Sequence, residues 1–296
     1  MLNWLTRYAV LVDDLGPGRP SVLDVGCGPV GLYSVLPDLP FAGQDIAFPG
    51  RVADTMFAVR TAPGPFPWKD GAFDTIACLD TLEHMPADVR GPFVAELARV
   101  AARRVFVSCP LAEAGDLDTM FRQMYEAAGL DAPDWLDEHA EHGLPTGAEV
   151  AEACAHATGF RVEPWAQVNG VLSTLAVVAD VHPELAAKGA TEYRDHHDQW
   201  LRMMRESRFG DSYRVGFVLT REAPLTPTVT VDDFASTVVR ALRCPACSET
   251  RLERTETGLR CSACTLELVP DETGAYDLRP TSSPPAPKRS RLPWRR

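Results

Sequence analysis

The run Val22-Leu23-Asp24-Val25-Gly26-Cys27-Gly28-Pro29-Val30-Gly31-Leu32 constrains this chain more than any other segment. Apolar positions lead into a Gly-x-Gly turn, and a helix is expected to open at Val30. A buried strand feeding a glycine turn ahead of a helix is where α/β folds hold a cofactor. Gly26, Gly28 and Gly31 also satisfy the Gly-x-Gly-x-x-Gly dinucleotide pattern. Asp24 separates the two readings. A carboxylate at the strand tip repels a pyrophosphate and attracts a cofactor carrying a sulfonium and an ammonium. S-adenosylmethionine has both charges and no phosphate.

The segment Leu23-Asp24-Val25-Gly26-Cys27-Gly28 resembles the first motif of class I S-adenosylmethionine-dependent methyltransferases. A second block, Phe66 to Met85, is similar to that family's stretch before, along and after its fourth strand. Its Leu82-Glu83-His84 ending is typical of the branch that includes many small-molecule methyltransferases. The resemblance implies an α/β, Rossmann-like, mostly parallel seven-stranded sheet. It also implies cofactor contacts from Asp24, Gly26, Cys27, Gly28, Asp45, Ile46 and Leu79. Asp45 ends the expected second strand, where a ribose-binding carboxylate belongs. Many relatives place an acid after the third strand, against adenine. Here that place falls on Ala62, so adenine is expected to meet backbone or apolar groups.

Around this frame the reading gives strands at 21–25, 41–46, 56–61, 73–79, 104–109, 160–167 and 213–220, a short helix at 30–36 and a longer one at 86–101. The residues up to 222 form the methyltransferase domain. Two stretches exceed the minimal fold. The first, 111–145, is expected to form helices over the cofactor, one capped by Asp134. Thr146-Gly147-Ala148-Glu149 then reads as a capping box. The second, 169–211, carries Tyr193, His197, Trp200, Leu201 and Met204 at helical spacing. That stripe suits core, a homodimer face or an aromatic substrate pocket.

Net charge is −12, and residues 1–240 alone carry −15. So acidic a body makes nucleic acid an unfavourable partner, because phosphate contacts need clustered Lys and Arg. No apolar run reaches the length of a membrane span. The apolar start is interrupted by Arg7 and followed by Asp13-Asp14, which suits an amphipathic helix packed on the cofactor domain better than a signal peptide. A cytoplasmic protein is expected.

After a linker or helix at 223–240 come Cys244-Pro-Ala-Cys247 and Cys261-Ser-Ala-Cys264, the two-knuckle pattern of a structural metal site at 241–280. Four thiolates close a tetrahedron, and zinc is the expected ion. Two disulfides are the alternative, disfavoured in a reducing compartment. The segment Leu266 to Pro280 is similar to the end of a small zinc-ribbon family. That family includes the activator subunit of eukaryotic tRNA, ribosomal RNA and release-factor methyltransferases. The resemblance implies a ribbon that packs on the catalytic domain and stabilises it. The Ser/Pro-rich 281–296 reads as a disordered tail.

Methyl transfer to a hydroxyl needs in-line alignment and a base within reach. The candidates are His84, just past the fourth strand, and His142 in the cluster Glu138-His139-Ala140-Glu141-His142. That cluster suits a catalytic metal as well. The leading expectation is O-methylation of a small hydroxylated acceptor, a sugar or secondary metabolite. The alternatives are methylation of RNA or protein, and a non-catalytic cofactor-binding partner.

Overall fold

We describe residues 2–16, 18–62, 64–114 and 117–280 of a computed structural model; the expected tail at 281–296 lies outside them. The strands are β1 (Val22–Val25), β2 (Phe41–Asp45), β3 (Met56–Arg60), β4 (Phe73–Leu79), β5 (Ala101–Pro110), β6 (Phe160–Pro164), β7 (Arg214–Arg221), β8 (Leu252–Arg254), β9 (Leu259–Cys261), β10 (Glu267–Leu268) and β11 (Tyr276–Asp277). The helices are α1 (Leu2–Asp14), α2 (Ala87–Val100), α3 (Leu117–Ala127), α4 (Asp134–His142), α5 (Gly147–Ala155), α6 (Gly170–Val181), α7 (Pro183–Asp195), α8 (His197–Glu206) and α9 (Phe234–Ala241).

The main sheet runs β11-β3-β2-β1-β4-β5-β7-β6. Its first six strands pair in parallel, and β7 runs antiparallel between β5 and β6. Seven strands follow the Rossmann-like order expected from the sequence. The eighth, β11, comes from the cysteine-rich segment. The chain leaves β1 toward β2 on one side and returns to β4 on the other. The carboxyl ends of β1 and β4 therefore flank a topological switch point, where open α/β sheets bind ligands. All four β1 residues are buried, as in a strand covered on both faces.

Two local expectations change. The segment after the glycine turn is not an α-helix but a four-residue 3-10 turn, Gly31–Ser34. Gly31 stands at φ +50°, and a Cβ on it would come within 2.5 Å of Asp24 Oδ2. Pro37 follows and cannot continue a helix. The covering role falls instead to α1, whose Leu5, Tyr8, Ala9, Val10 and Leu11 are buried. Asp134 is the first residue of α4 rather than its cap, since Pro133 holds the cap position. The Thr146–Glu149 capping box is formed in both directions.

The second insertion folds as α6, α7 and α8 against α1. Tyr193, Leu201 and Met204 are buried in the cluster that contains Leu5 and Leu11. The expected stripe is thus mostly core. Among the described residues no single helix is long and apolar enough to cross a membrane; α6 and α7 pass such a test only together, across a 119° bend.

Candidate active site

The carboxyl ends of β1, β2, β3 and β4 open into one cleft of about 3460 Å³. A single ligand site is typically about 300–1,000 Å³, so cofactor and acceptor fit side by side. Gly26, Gly28, Asp45 and Ile46 line it. Gly26 stands at φ +75°, and a Cβ there would fall 2.2 Å from Thr81 Oγ1. Only glycine lets the β1 turn close against Thr81, two residues past β4. Ala62 lines the cleft with Thr61 and Phe66, and the nearby acid is Glu96, which accepts the Phe66 N–H at 2.9 Å.

The two acids of the motif engage the turn's own amides. Asp45 Oδ2 accepts the Gly28 N–H at 2.8 Å. Asp24 Oδ2 accepts the Leu32 N–H at 2.9 Å, and Tyr8 Oη donates to Asp24 Oδ1 at 3.2 Å. The donors that would cradle a phosphate are therefore occupied by carboxylates, and only a 3-10 turn follows them. The donor set suits a cationic cofactor and disfavours a dinucleotide.

Three expected contacts lie elsewhere. Asp24 has no solvent exposure and lies outside the cleft lining, because the strand turns its side chain inward to fasten the glycine turn to α1. Burial pushes its carboxyl up to about 7, against the opposing pull of its two hydrogen bonds. Cys27 is buried too; its Sγ fills the space that the missing Cβ of Gly43 leaves. Leu79 is core at the end of β4.

The other half of the cleft lies past β4. Leu82–His84 forms a 3-10 turn that presents Glu83 and His84, and α4 crosses above it. His84 Nδ1 lies 2.7 Å from Glu138 Oε2, and its Nε2 lies 3.7 Å from Glu83 Oε1. His139 packs beside His84 with ring centroids 5.1 Å apart, and its Nδ1 meets Asp118 Oδ2 at 2.8 Å. Asp118 thus orients the His139 ring through Nδ1, and Glu138 lies against Nδ1 of His84. Glu83 is buried at 1% exposure; burial, then the Asp80 carboxylate, pushes it well above the usual range. His142 lines the cleft, but Glu138 and His139, about one helical turn earlier, are the members of the cluster that reach His84. The i, i+4 spacing from Trp135, whose ring meets His139 at 5.2 Å, was the available signal for an inward face.

Between these halves stands Asp80, at φ +52° immediately after β4. Arg214, the first residue of β7, grips it through Nε at 2.7 Å and Nη2 at 2.7 Å. Arg214 also donates to Thr6 Oγ1 and Asn3 Oδ1 of α1, and Arg7 Nε reaches Asp80 at 2.8 Å. Burial alone would raise Asp80, but the Arg214 and Arg7 charges overcome it and hold the carboxyl below its ordinary value. This network clamps α1 across the site and puts Trp4 over Gly28. Sequence reading missed it entirely.

The four tail cysteines form a second centre. Cys244 Sγ lies 3.6 Å from Cys264 Sγ, and Cys247 Sγ lies 3.7 Å from Cys261 Sγ. A disulfide would need about 2.05 Å. A tetrahedron with metal–sulfur bonds of about 2.3 Å has edges of about 3.8 Å, so the four thiols fit a closed metal site. The β8-β9-β10 sheet around it shares its core with the main sheet: Cys244, Leu252 and Cys261 cluster with Leu23 and Ile76. β11 then pairs with β3, Tyr276 stacks on Phe57 at 5.2 Å, and Arg60 pairs with Asp271.

No family model matches the sequence. No curated protein matches it significantly. Similar solved structures include the magnesium protoporphyrin IX methyltransferase of Synechocystis with bound SAH. It is 16% identical over 72% of this chain and 79% of its own, with a TM-score of 0.37. A methyltransferase from an antibiotic biosynthesis pathway of Anabaena variabilis is 14% identical over 73% and 98%, with a TM-score of 0.45. A cyclopropane-fatty-acyl-phospholipid synthase-like protein of Lactobacillus casei is 15% identical over 74% and 92%, with a TM-score of 0.41. At these identities and scores, the strand order above remains the evidence for the fold.

Proposed function

We propose that this chain is an S-adenosylmethionine-dependent methyltransferase that methylates a hydroxyl of a small acceptor. The observation that carries the reading is one cleft with two chemically distinct halves. Gly26, Gly28 and Asp45 line one end; Glu83, His84 and His139 line the other. Bound S-adenosylmethionine would supply an electrophilic methyl on a sulfonium. Asp45 would accept hydrogen bonds from its ribose, and Ile46, Ala62 and Phe66 would flank its base. The Asp45 carboxylate at the turn favours its positive charge over the phosphates of a dinucleotide. His84 and His139, beside Glu138 and Asp118, are the groups that face the acceptor hydroxyl. The helix α4 covers the His84 end of the cleft, and the Asp80–Arg214 pair holds α1 over the glycine turn.

The acceptor is read as small because the body is acidic and the cleft is covered by helices on both sides. Zinc, held by Cys244, Cys247, Cys261 and Cys264, would supply a structural crosslink and no chemistry, since four thiolates leave no open position. Reduced thiols in that arrangement suit a cytoplasmic location. A homodimer through the second insertion would use the exposed Val171 and Leu175 of α6 rather than the buried stripe.

Calorimetric titration with S-adenosylmethionine, S-adenosylhomocysteine and NAD tests the cofactor. Saturable binding of the first two and none of NAD is expected; the reverse would overturn the reading. Methyl transfer from labelled cofactor to hydroxylated small molecules, with tRNA and protein pools in parallel, tests the acceptor class.

A further inference from the structure

We propose that Glu83, His84 and His139 form a binding site for a divalent first-row transition-metal cation, separate from the cysteine centre. One ligand atom from each lies within 4.8 Å of those of the other two, close enough to converge on one ion. Two imidazoles and one carboxylate are a donor set suited to Mn²⁺, Fe²⁺, Co²⁺ or Zn²⁺ and leave coordination positions open.

Two independent features point to a cation. First, Glu83 Oε2 is buried without a hydrogen-bond partner, on a residue with 1% exposure that lines the cleft. A buried carboxylate oxygen left bare is costly, and a cation removes that cost. Second, Asp118 meets His139 Nδ1 in a hydrogen bond at 2.8 Å, the arrangement that fixes a metal-ligating imidazole and leaves Nε2 to bind, and Glu138 lies 2.7 Å from His84 Nδ1. His84 Nε2 is directed to Glu83 Oε1 at 3.7 Å, a gap that an ion bonded to both would span.

All three side chains line the cleft, so an ion enters from solvent, and its open positions take oxygen donors from the bound ligand. An acceptor with a hydroxyl, or two adjacent hydroxyls, is the class that such a site holds. That last step rests on the methyltransferase reading; cation binding itself does not.

The test uses the full chain with its cysteine site filled by zinc and Mn²⁺ as the probe, because thiolates compete poorly for Mn²⁺. Electron paramagnetic resonance titration should show one saturable Mn²⁺ per chain, with nitrogen modulation in the echo decay from directly bound imidazole. Glu83→Gln and His139→Ala should each weaken binding at least about tenfold, and His196→Ala, an exposed histidine, should leave it unchanged. Absence of saturable Mn²⁺, absence of nitrogen coupling, or equal affinity in Glu83→Gln and His139→Ala would each overturn the site. The nitrogen signal is read on the unmodified chain, so a variant that folds poorly does not blur the answer. S-adenosylmethionine titration runs separately, so failure of the cation site and failure of the methyltransferase reading remain distinguishable.

Discussion

The Asp45 carboxylate accepts the Gly28 N–H at 2.8 Å across the mouth of the glycine turn. The amide that a pyrophosphate would seek is held by an acid of the same chain, and that acid also lines the cleft. Asp45→Ala should therefore weaken S-adenosylmethionine binding by roughly 1–3 kcal/mol, the range for hydrogen bonds to a charged group. Titration calorimetry on the folded variant checks it. Unchanged affinity would remove Asp45 from the site.

Asp24 predicts a pH-dependent stability. Its carboxyl is raised by burial from 3.8 to about 7 in the folded chain. The protonated group's contribution is complete below pH 3.8, declines as pH rises, and is gone once pH passes about 7. The integrated difference is about 4 kcal/mol. Asp24→Asn keeps an acceptor for the Leu32 N–H and does not ionise; its amide reverses the bond to Tyr8, donating to Tyr8 Oη. Its stability relative to the parent should rise between pH 4 and pH 7 and then level off. Denaturant melts of both proteins across that range measure the difference, and a flat difference would contradict the assignment.

His139→Ala should lower methyl transfer by about 100-fold or more, the scale for losing a group that handles the reacting proton. Cofactor affinity should stay close to the parent, because His139 lines the other half of the cleft. His142→Ala should have the smaller effect, since it is His139 that meets both Asp118 and His84. Single-turnover rates alongside cofactor binding constants separate the two outcomes. A larger loss in His142→Ala would return that residue to the centre of the mechanism.

Breaking the Asp80–Arg214 pair should cost more stability than any surface ion pair of this chain. Both side chains are nearly inaccessible, at 4% and 2% exposure. Arg214→Met leaves a buried carboxylate facing only Arg7, for a loss of about 3–5 kcal/mol. Loss of Arg214 also frees α1, so protease cleavage near the N-terminus should accelerate. A double-mutant cycle with Asp80→Asn measures the coupling.

Metal analysis should find one zinc per chain at the cysteine centre. Removing it, or making Cys261→Ser, should destabilise the main sheet as well as the ribbon. The reason is the shared core and the β11–β3 pairing. A single cooperative transition that moves to lower temperature on chelation is the expected result. Two separate transitions, with the main one unmoved, would show that the ribbon is an independent unit.

The resemblance of two short blocks was enough to anticipate the strand order, because burial and glycine requirements leave local marks. Val22–Val25 reads as a buried strand from its apolar run, Gly26 as a turn, and Asp45 as an acid at a strand end. The cysteine spacing marked four thiols that the structure brings together, for the same reason: each knuckle is a local turn. The Thr146–Glu149 box was equally local.

What tertiary structure decided concerns groups far apart in the chain. Whether Asp24 faces ligand or core depends on α1, whose Tyr8 meets it across 16 residues. Choosing His139 over His142 depends on where α4 crosses the β4 exit, which no spacing rule supplies. Asp80 meets Arg214 across 134 residues, and Arg60 meets Asp271 across 211. Sequence pattern fixed the local conformations and the chemistry available to each element. Only packing, which selects among many sterically allowed neighbours, determined which charges were buried together and which faced the cleft.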